Sequence, residues 1–169
     1  MPEITAILNT YRRPWALPLQ YEAIKSQTLT PKHIMIWQNK GNDKLPLEPL
    51  DRNIYLKEDL CANISTSNLG VWARFAYALN ATTEYVCIFD DDTIPGPGWF
   101  QNCVDTMNTH EGLLGTNGVI FKDLDYMKYD QAGWANPNEE VKEVDIVGQA
   151  WFLKRKWLGE FWKEAPIPS

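Results

Sequence analysis

Cysteine, histidine and positive charge are all scarce in this sequence. Among its 169 residues there are three cysteines, Cys61, Cys87 and Cys103, an odd number with no CxxC spacing. This argues against a disulfide or cysteine-zinc framework and fits reduced thiols in a cytosolic-type compartment. The two histidines, His33 and His110, stand far apart without an evident partner and read as structural. Sixteen Lys and Arg face 22 Asp and Glu, a net charge of −6. General nucleic-acid binding, which relies on clustered basic side chains, is therefore not expected. No run approaches the roughly 20 apolar residues of a membrane span. The amino terminus enters a strand-like segment without the basic and then apolar regions of an export signal. The expectation is a soluble, unexported, cytoplasmic chain.

What is present is enough for one ordinary domain. Apolar residues make up 44% and aromatic residues 12%, too many for a disordered chain, and a chain of this length buries on the order of 70% of its unfolded surface. Residues 4–8, Ile-Thr-Ala-Ile-Leu, predict a strand that ends at the polar stretch 9–14. A helix follows over 15–26, with Trp15, Leu19, Ala23 and Ile24 as its apolar stripe and a regular start at Pro18. Residues 33–37 predict a second strand, 45–50 a Pro-punctuated loop and 53–56 a short third strand. Asn68 is placed to cap a helix with a stripe of Leu69, Trp72, Ala73, Ala76 and Leu79. Tyr-Val-Cys-Ile-Phe at 85–89 is apolar without alternation, as in a strand covered on both faces of a parallel sheet. A helix with Pro97 near its first position would bury Trp99, Phe100, Cys103, Val104 and Met107. Another strand lies within 112–121, a polar loop over 122–140 and an extended segment over 144–153. A last short helix places Trp157, Leu158, Phe161 and Trp162 on one side.

Alternating strands and helices predict an α/β fold, with a mostly parallel central sheet and helices on both faces. In such sheets ligands bind at the carboxyl ends of the strands, where the strand order reverses. The segments near Thr10–Arg13, Asn39 and Asp90–Asp92 should therefore share one crevice. Three consecutive aspartates at the mouth of a buried strand repel one another unless something positive lies among them. An all-oxygen set suits Mg²⁺ or Mn²⁺. In extended backbone Asp90 and Asp92 would face one ligand while Asp91 turned aside. A solvated acidic loop, or an acidic approach to the following helix, is the alternative.

These segments, in this order and spacing, resemble family 2-like glycosyltransferases with the GT-A fold, a Rossmann-like single domain. The matching stretches are 4–13, Trp-Gln-Asn-Lys-Gly at 37–41, Asn-Leu-Gly-Val-Trp-Ala-Arg at 68–74, and Val-Cys-Ile-Phe-Asp-Asp-Asp at 86–92, whose end is that family's DXD motif. The resemblance implies a nucleotide-sugar part over 1–110 and an acceptor-side part over 111–169. Thr10, Tyr11 and Arg12 would flank the base, and Asn39 would contact it. Arg74 would lie near the nucleotide unless it is a surface residue. Asp90 would bond the ribose or assist the metal, and Asp92 would ligate Mn²⁺ or Mg²⁺ bridging the diphosphate, with Asp91 nearby. The implied partners are a nucleoside diphosphate sugar, a UDP-sugar being favoured, and a glycan or other hydroxyl acceptor. Inversion at the sugar C1 also follows from the resemblance.

The family carries its catalytic base in a Glu-Asp pair downstream of a segment like 147–152, and no such pair occurs here. Either the chain is a piece of a longer enzyme or another carboxylate serves, the candidates being Asp145, Glu160 and Glu164. Asp145 is favoured because it precedes the Gly148 segment, which the resemblance places near the acceptor; a plain polar residue on the open face of a strand is the alternative. Gly148 would admit the sugar closely or mark a bulge, and Trp151 and Trp134 could stack on a sugar ring or pack in the core. One rival is a non-catalytic nucleotide-sugar-binding module. A haloacid-dehalogenase-type phosphatase also places an apolar strand before Asp-x-Asp, but near its amino terminus and followed by Gly-Thr. A sugar nucleotidyltransferase needs a Gly-rich phosphate loop, and residues 9–14 contain no glycine.

Overall fold

The computed structural model describes residues 1–40, 60–134 and 138–163. Its main sheet has five strands in the order β3-β2-β1-β4-β8. These are β1 (Ile4–Thr10), β2 (His33–Gln38), β3 (Leu60–Ile64), β4 (Tyr85–Phe89) and β8 (Ala150–Lys154). The first four run parallel, and β8 is antiparallel to β4 with Phe89 opposite Ala150. A second, antiparallel sheet joins β6 (Tyr129–Ala132), β5 (Asn117–Phe121) and β7 (Ile146–Gly148) in that order.

Side-chain alternation along the strands builds two cores. Ile4, Ala6, Leu8, Ile34, Ile36, Tyr85, Cys87 and Phe89 point to one face. There they meet Leu17, Tyr21 and Ile24 of α1 (Ala16–Lys25), and Phe100, Cys103, Val104 and Met107 of α3 (Trp99–Thr109). Ile7, Met35, Trp37, Val86 and Ile88 point to the other face, against Ala73, Tyr77 and Ala78 of α2 (Trp72–Ala78). This is the period of two expected of strands covered on both sides. Burying a side chain such as Phe89, wholly enclosed here, stabilises the fold by about 1.5–3 kcal/mol.

Several expectations need correcting. Helix α1 starts at Ala16 rather than at Pro18, because a proline within the first turn lacks only an N–H that has no intrahelical acceptor there. Trp15 and Leu19 are exposed, and the buried stripe is Leu17, Gln20, Tyr21 and Ile24. Helix α2 starts at Trp72, and Asn68 does not cap it: its Oδ1 accepts from the Gly70 amide in a turn that ends at a left-handed Gly70. Leu69, Trp72, Ala76 and Leu79 face outward, whereas Arg74 is buried. The polar loop over 122–140 contains β6. The extended segment over 144–153 is two strands in different sheets, broken at Gln149, whose φ of 64° turns the chain from β7 into β8. Gly115 allows this crossing: a Cβ there would lie 2.0 Å from Val147 Cγ1 and 2.7 Å from the Ala150 carbonyl. The chain then forms a 3₁₀ turn (Arg155–Trp157) and a short α4 (Leu158–Phe161). The expected loop at 45–50 and strand at 53–56 lie outside the described residues.

Candidate active site

The strand order reverses at β1, which has β2 on one side and β4 on the other. The crevice at that switch point is bounded by the ends of β1 and β4, where a ligand is expected on general grounds. Strand β4 stops at Phe89, and a turn follows in which the Thr93 amide donates to the Asp90 carbonyl at 3.2 Å. The three aspartates leave the sheet in different directions. Asp90 continues the alternation of β4 towards α2 and pairs with Nη1 of Arg74. Asp91 points to the other side, towards the loop after β1, accepting from the Arg12 amide (3.3 Å) and from Arg13 Nη1 (2.8 Å). Asp92 Oδ2 lies 3.2 Å from that same Arg13 nitrogen. The expected pairing of Asp90 with Asp92 across an extended backbone is thus replaced by Asp91 and Asp92 sharing Arg13, because the chain turns at 90–93.

Arg74 is the central cation. It is 93% buried by its 7% exposure, and its guanidinium carbon lies 4.7 Å from the centre of the Trp151 ring and 5.6 Å from that of Phe75. Burial pushes the Asp90 carboxyl above its ordinary range, and Arg74 opposes that rise while Asp92 and Asp91 add to it. At Arg13, the hydrogen bond and charge of Asp91, reinforced by Asp92, strengthen the hold on the guanidinium proton. Arg74 Nε and Thr93 Oγ1 are buried without a hydrogen-bond partner. Buried polar atoms are rarely left so, and these two flank Asp90 and Asp92 in the fold.

Asn39 lies at the end of β2, buried, and holds the 69–70 turn. Its Oδ1 accepts from Trp37 Nε1 and the Leu69 amide, and its Nδ2 donates to the Gly70 carbonyl. Thr10 is buried at the end of β1, and Tyr11 accepts from Asn68 Nδ2 while the Arg12 guanidinium lies 4.9 Å from its ring centre. The loop after β1, the end of β2 and the turn before α2 are therefore tied together around the acidic turn. Residues 6–160 match the sequence profile described as glycosyl transferase family 2. The chain belongs to glycosyl transferase family 2.

The family 2 chain also shares its GT-A-type fold with solved structures of low identity. A mannosyltransferase from Pyrobaculum calidifontis, solved with GDP-Man and Mn²⁺, is 17% identical at a TM-score of 0.61, with 95% of this chain and 47% of that one covered. Staphylococcus aureus TarS is 15% identical at a TM-score of 0.61, with 94% and 29% covered. Residues 1–349 of TarS, solved with UDP, give the same identity and TM-score, with 94% and 48% covered. The chain spans less than half the length of these structures. No curated protein sequence matches it.

In the second sheet of the family 2 chain, Gly148 ends β7, and a Cβ there would fall 2.6 Å from Asn117 Oδ1. Trp151 donates its Nε1 to the Val147 carbonyl at 3.1 Å and presents one face to Arg74 and an edge to Phe75. Asp145 is exposed; its Oδ2 accepts from the Phe121 amide at 2.7 Å. It precedes Gly148 by three residues, roughly 10 Å of extended chain. Glu160 pairs with Lys163 at the far end of the chain. Glu164 lies outside the described residues. Trp134 is exposed beyond β6, His33 opens β2 at the edge away from the crevice, and His110 ends α3. A depression of about 380 Å³ at that opposite edge is lined by Thr82, Thr83, Glu84, Lys154, Arg155 and Lys156. It is not the candidate site, since Lys154 pairs with Glu111 and Arg155 donates to the Ala81 carbonyl.

Apolar periodicity did not reveal three residues that shape the acidic turn. Gln20, 1% exposed on α1, donates to the carbonyls of Asp90 (2.8 Å) and Thr93 (2.7 Å). Gln27, two turns later, donates to the Gly96 carbonyl and accepts from the Phe100 amide. Gln149 accepts from the Asp90 amide at 2.9 Å from its left-handed backbone. Gln20 lies within α1 and Gln27 just past its end, and no apolar spacing in the sequence marks either of them.

Proposed function

We propose that this chain binds a nucleoside diphosphate sugar at the β1–β4 switch point and transfers the sugar, with inversion at C1, to a hydroxyl of a glycan or other acceptor. The observation that carries the reading is the acidic turn after β4, bracketed by the buried Arg74 and the exposed Arg13. Family membership supports transfer from a sugar nucleotide, and two fold relatives hold UDP or GDP-Man with Mn²⁺. A UDP-sugar is the proposed donor, with a GDP-sugar as the competing one.

The residues present suit a hard divalent cation, because the donors are carboxylate oxygens and Asp92 is half-exposed at the crevice. Among the described residues no three metal-binding side chains converge. This is in keeping with Mg²⁺ or Mn²⁺ sites that take one or two carboxylates plus substrate phosphate. Asp92, with Asp90 beside it, would hold the cation, which when bound neutralises charge gathering on the departing diphosphate. Thr10, Tyr11, Arg12 and Asn39 frame the nucleotide side, and Asn39 acts by fixing the 69–70 turn. Arg74 orients Asp90 and contributes positive charge without exposure to water. Gly148 and Trp151 form the floor on the acceptor side. Asp145 is the proposed base: with Oδ2 committed to the Phe121 amide, Oδ1 is the atom to take the acceptor proton, given a substrate that brings the hydroxyl within hydrogen-bond reach.

Isothermal titration with UDP, GDP and CDP, in Mn²⁺ and then in EDTA, tests the donor site. Saturable binding of one nucleotide that EDTA abolishes is the expected result; no binding of any of the three would overturn the reading. Slow hydrolysis of the donor without acceptor separates a transferase from a module that only binds.

A further inference from the structure

Two arginines serve the acidic turn, and they are held very differently. Arg74 is buried against Trp151 and faces Asp90 alone. Arg13 stands in the loop between β1 and α1 with its side chain 47% exposed, and one nitrogen, Nη1, serves both Asp91 Oδ1 and Asp92 Oδ2. The loop does not depend on that guanidinium for its position. The Arg12 amide separately bonds Asp91, and the Arg13 carbonyl accepts from the Ala16 amide at the start of α1. An exposed side chain on an anchored backbone can leave its partners at low cost, since exposed ion pairs are weak.

A guanidinium and a divalent cation draw on the same Asp92 oxygens. A cation arriving alone must evict Arg13 and then stand beside it, with two positive centres a few ångström apart. A cation arriving with a diphosphate gives the evicted guanidinium a new anionic partner, to which its planar fork is suited. We propose that Arg13 is a resident counter-ion of Asp92, displaced when metal and nucleotide diphosphate bind together, and that this displacement makes the two ligands bind cooperatively. The inference rests on the donor-site reading above. Coupling of this kind is reciprocal: whatever factor nucleotide adds to metal affinity, metal adds to nucleotide affinity.

The test is Mn²⁺ binding by the full chain, followed by isothermal titration and by the electron paramagnetic resonance of free Mn²⁺. Mn²⁺ is titrated alone and with UDP or GDP present, for wild type, Arg13→Gln and Arg13→Lys. Arg13→Gln is expected to bind Mn²⁺ alone roughly two- to fivefold more tightly than wild type, the size of effect that exposed ion pairs allow. The ratio of its Mn²⁺ affinities with and without nucleotide should shrink, and Arg13→Lys should fall between the two. Unchanged or weaker affinity of Arg13→Gln for Mn²⁺ alone, with nucleotide-dependent binding intact in wild type, overturns the counter-ion role and leaves the donor-site reading standing. Failure of wild type to bind Mn²⁺ with either nucleotide overturns both.

Discussion

Gln20 of α1 is hydrogen-bonded through Nε2 to the carbonyl of Asp90, 70 residues away, at 2.8 Å. The same amide reaches the Thr93 carbonyl at 2.7 Å, so one buried side chain closes the turn that carries all three aspartates. Gln20→Leu keeps the packing volume but removes both donors. Leaving a buried carbonyl unpaired is expected to cost about 1–3 kcal/mol, read as a lower urea midpoint. Mn²⁺-dependent nucleotide affinity should fall more steeply than stability, since Asp92 loses its fixed direction. Wild-type affinity in a folded Gln20→Leu protein would show that the turn holds its shape without the clamp.

Arg74→Ala removes the cation that offsets the burial of Asp90. A carboxylate left alone in that position costs on the order of 3 kcal/mol at neutral pH. The sign of the pH dependence follows from the raised Asp90 pKa. A carboxyl whose folded pKa lies above its unfolded value favours the folded state when protonated, and that contribution is lost as pH rises through the folded pKa. Without Arg74 the rise is larger, so the deficit of Arg74→Ala relative to wild type should narrow on acidification. Urea unfolding without metal at neutral and mildly acidic pH reads this directly; a deficit that does not change with pH would assign the loss to the uncovered Trp151 face instead.

Uninterrupted apolar runs made three of the four parallel strands legible, whereas β3, which reads Leu-Cys-Ala-Asn-Ile, was not expected at 60–64. Strand β4 lies where Tyr85–Phe89 predicted it, and β1 and β2 lie within two residues of their predicted ends. The acidic turn was legible for the same reason, since charge beginning abruptly after a buried strand marks the carboxyl edge of the sheet. The faces of α1 and α2 were not, although α3 buries Phe100, Cys103, Val104 and Met107 as expected. Trp15, Leu19, Leu69 and Trp72 are apolar yet exposed, while Gln20 and Arg74 are polar yet buried, because α1 and α2 use polar side chains to hold the site rather than to meet water. The second sheet was hidden because β6 reads Tyr-Asp-Gln-Ala, with three of its four residues exposed, and because a left-handed Gln149 splits what reads as one strand.

The thiols provide a check on the core. Cys87 of β4 and Cys103 of α3 are buried, and burial raises the pKa of each, whereas Cys61 of β3 is exposed. Thiolates rather than thiols react with disulfide reagents. The native chain is therefore expected to release one equivalent promptly on treatment with an aromatic disulfide at neutral pH, and two more only in denaturant. Cys61→Ser should abolish the prompt phase without changing the unfolding free energy by more than about 0.5 kcal/mol.

Asp91 and Asp92 are adjacent in sequence but are expected to fail differently when changed. Both oxygens of Asp91 face the loop after β1, one on the Arg12 amide and one on Arg13. Asp92 Oδ2 meets Arg13 Nη1 and its side chain is 45% exposed, leaving its carboxylate accessible to a cation. Asp92→Ala should abolish metal-dependent nucleotide binding with little change in the unfolding midpoint, because an exposed ion pair contributes at most about 1 kcal/mol. Asp91→Ala should lower stability more and weaken nucleotide binding both with and without metal, since the loop loses its anchor. Titration of both variants with UDP or GDP, in Mn²⁺ and in EDTA, separates the two roles. Wild-type affinity in Asp92→Ala would remove Asp92 from the cation site, and identical losses in the two variants would mean that the turn acts as one unit rather than as an anchor beside a ligand.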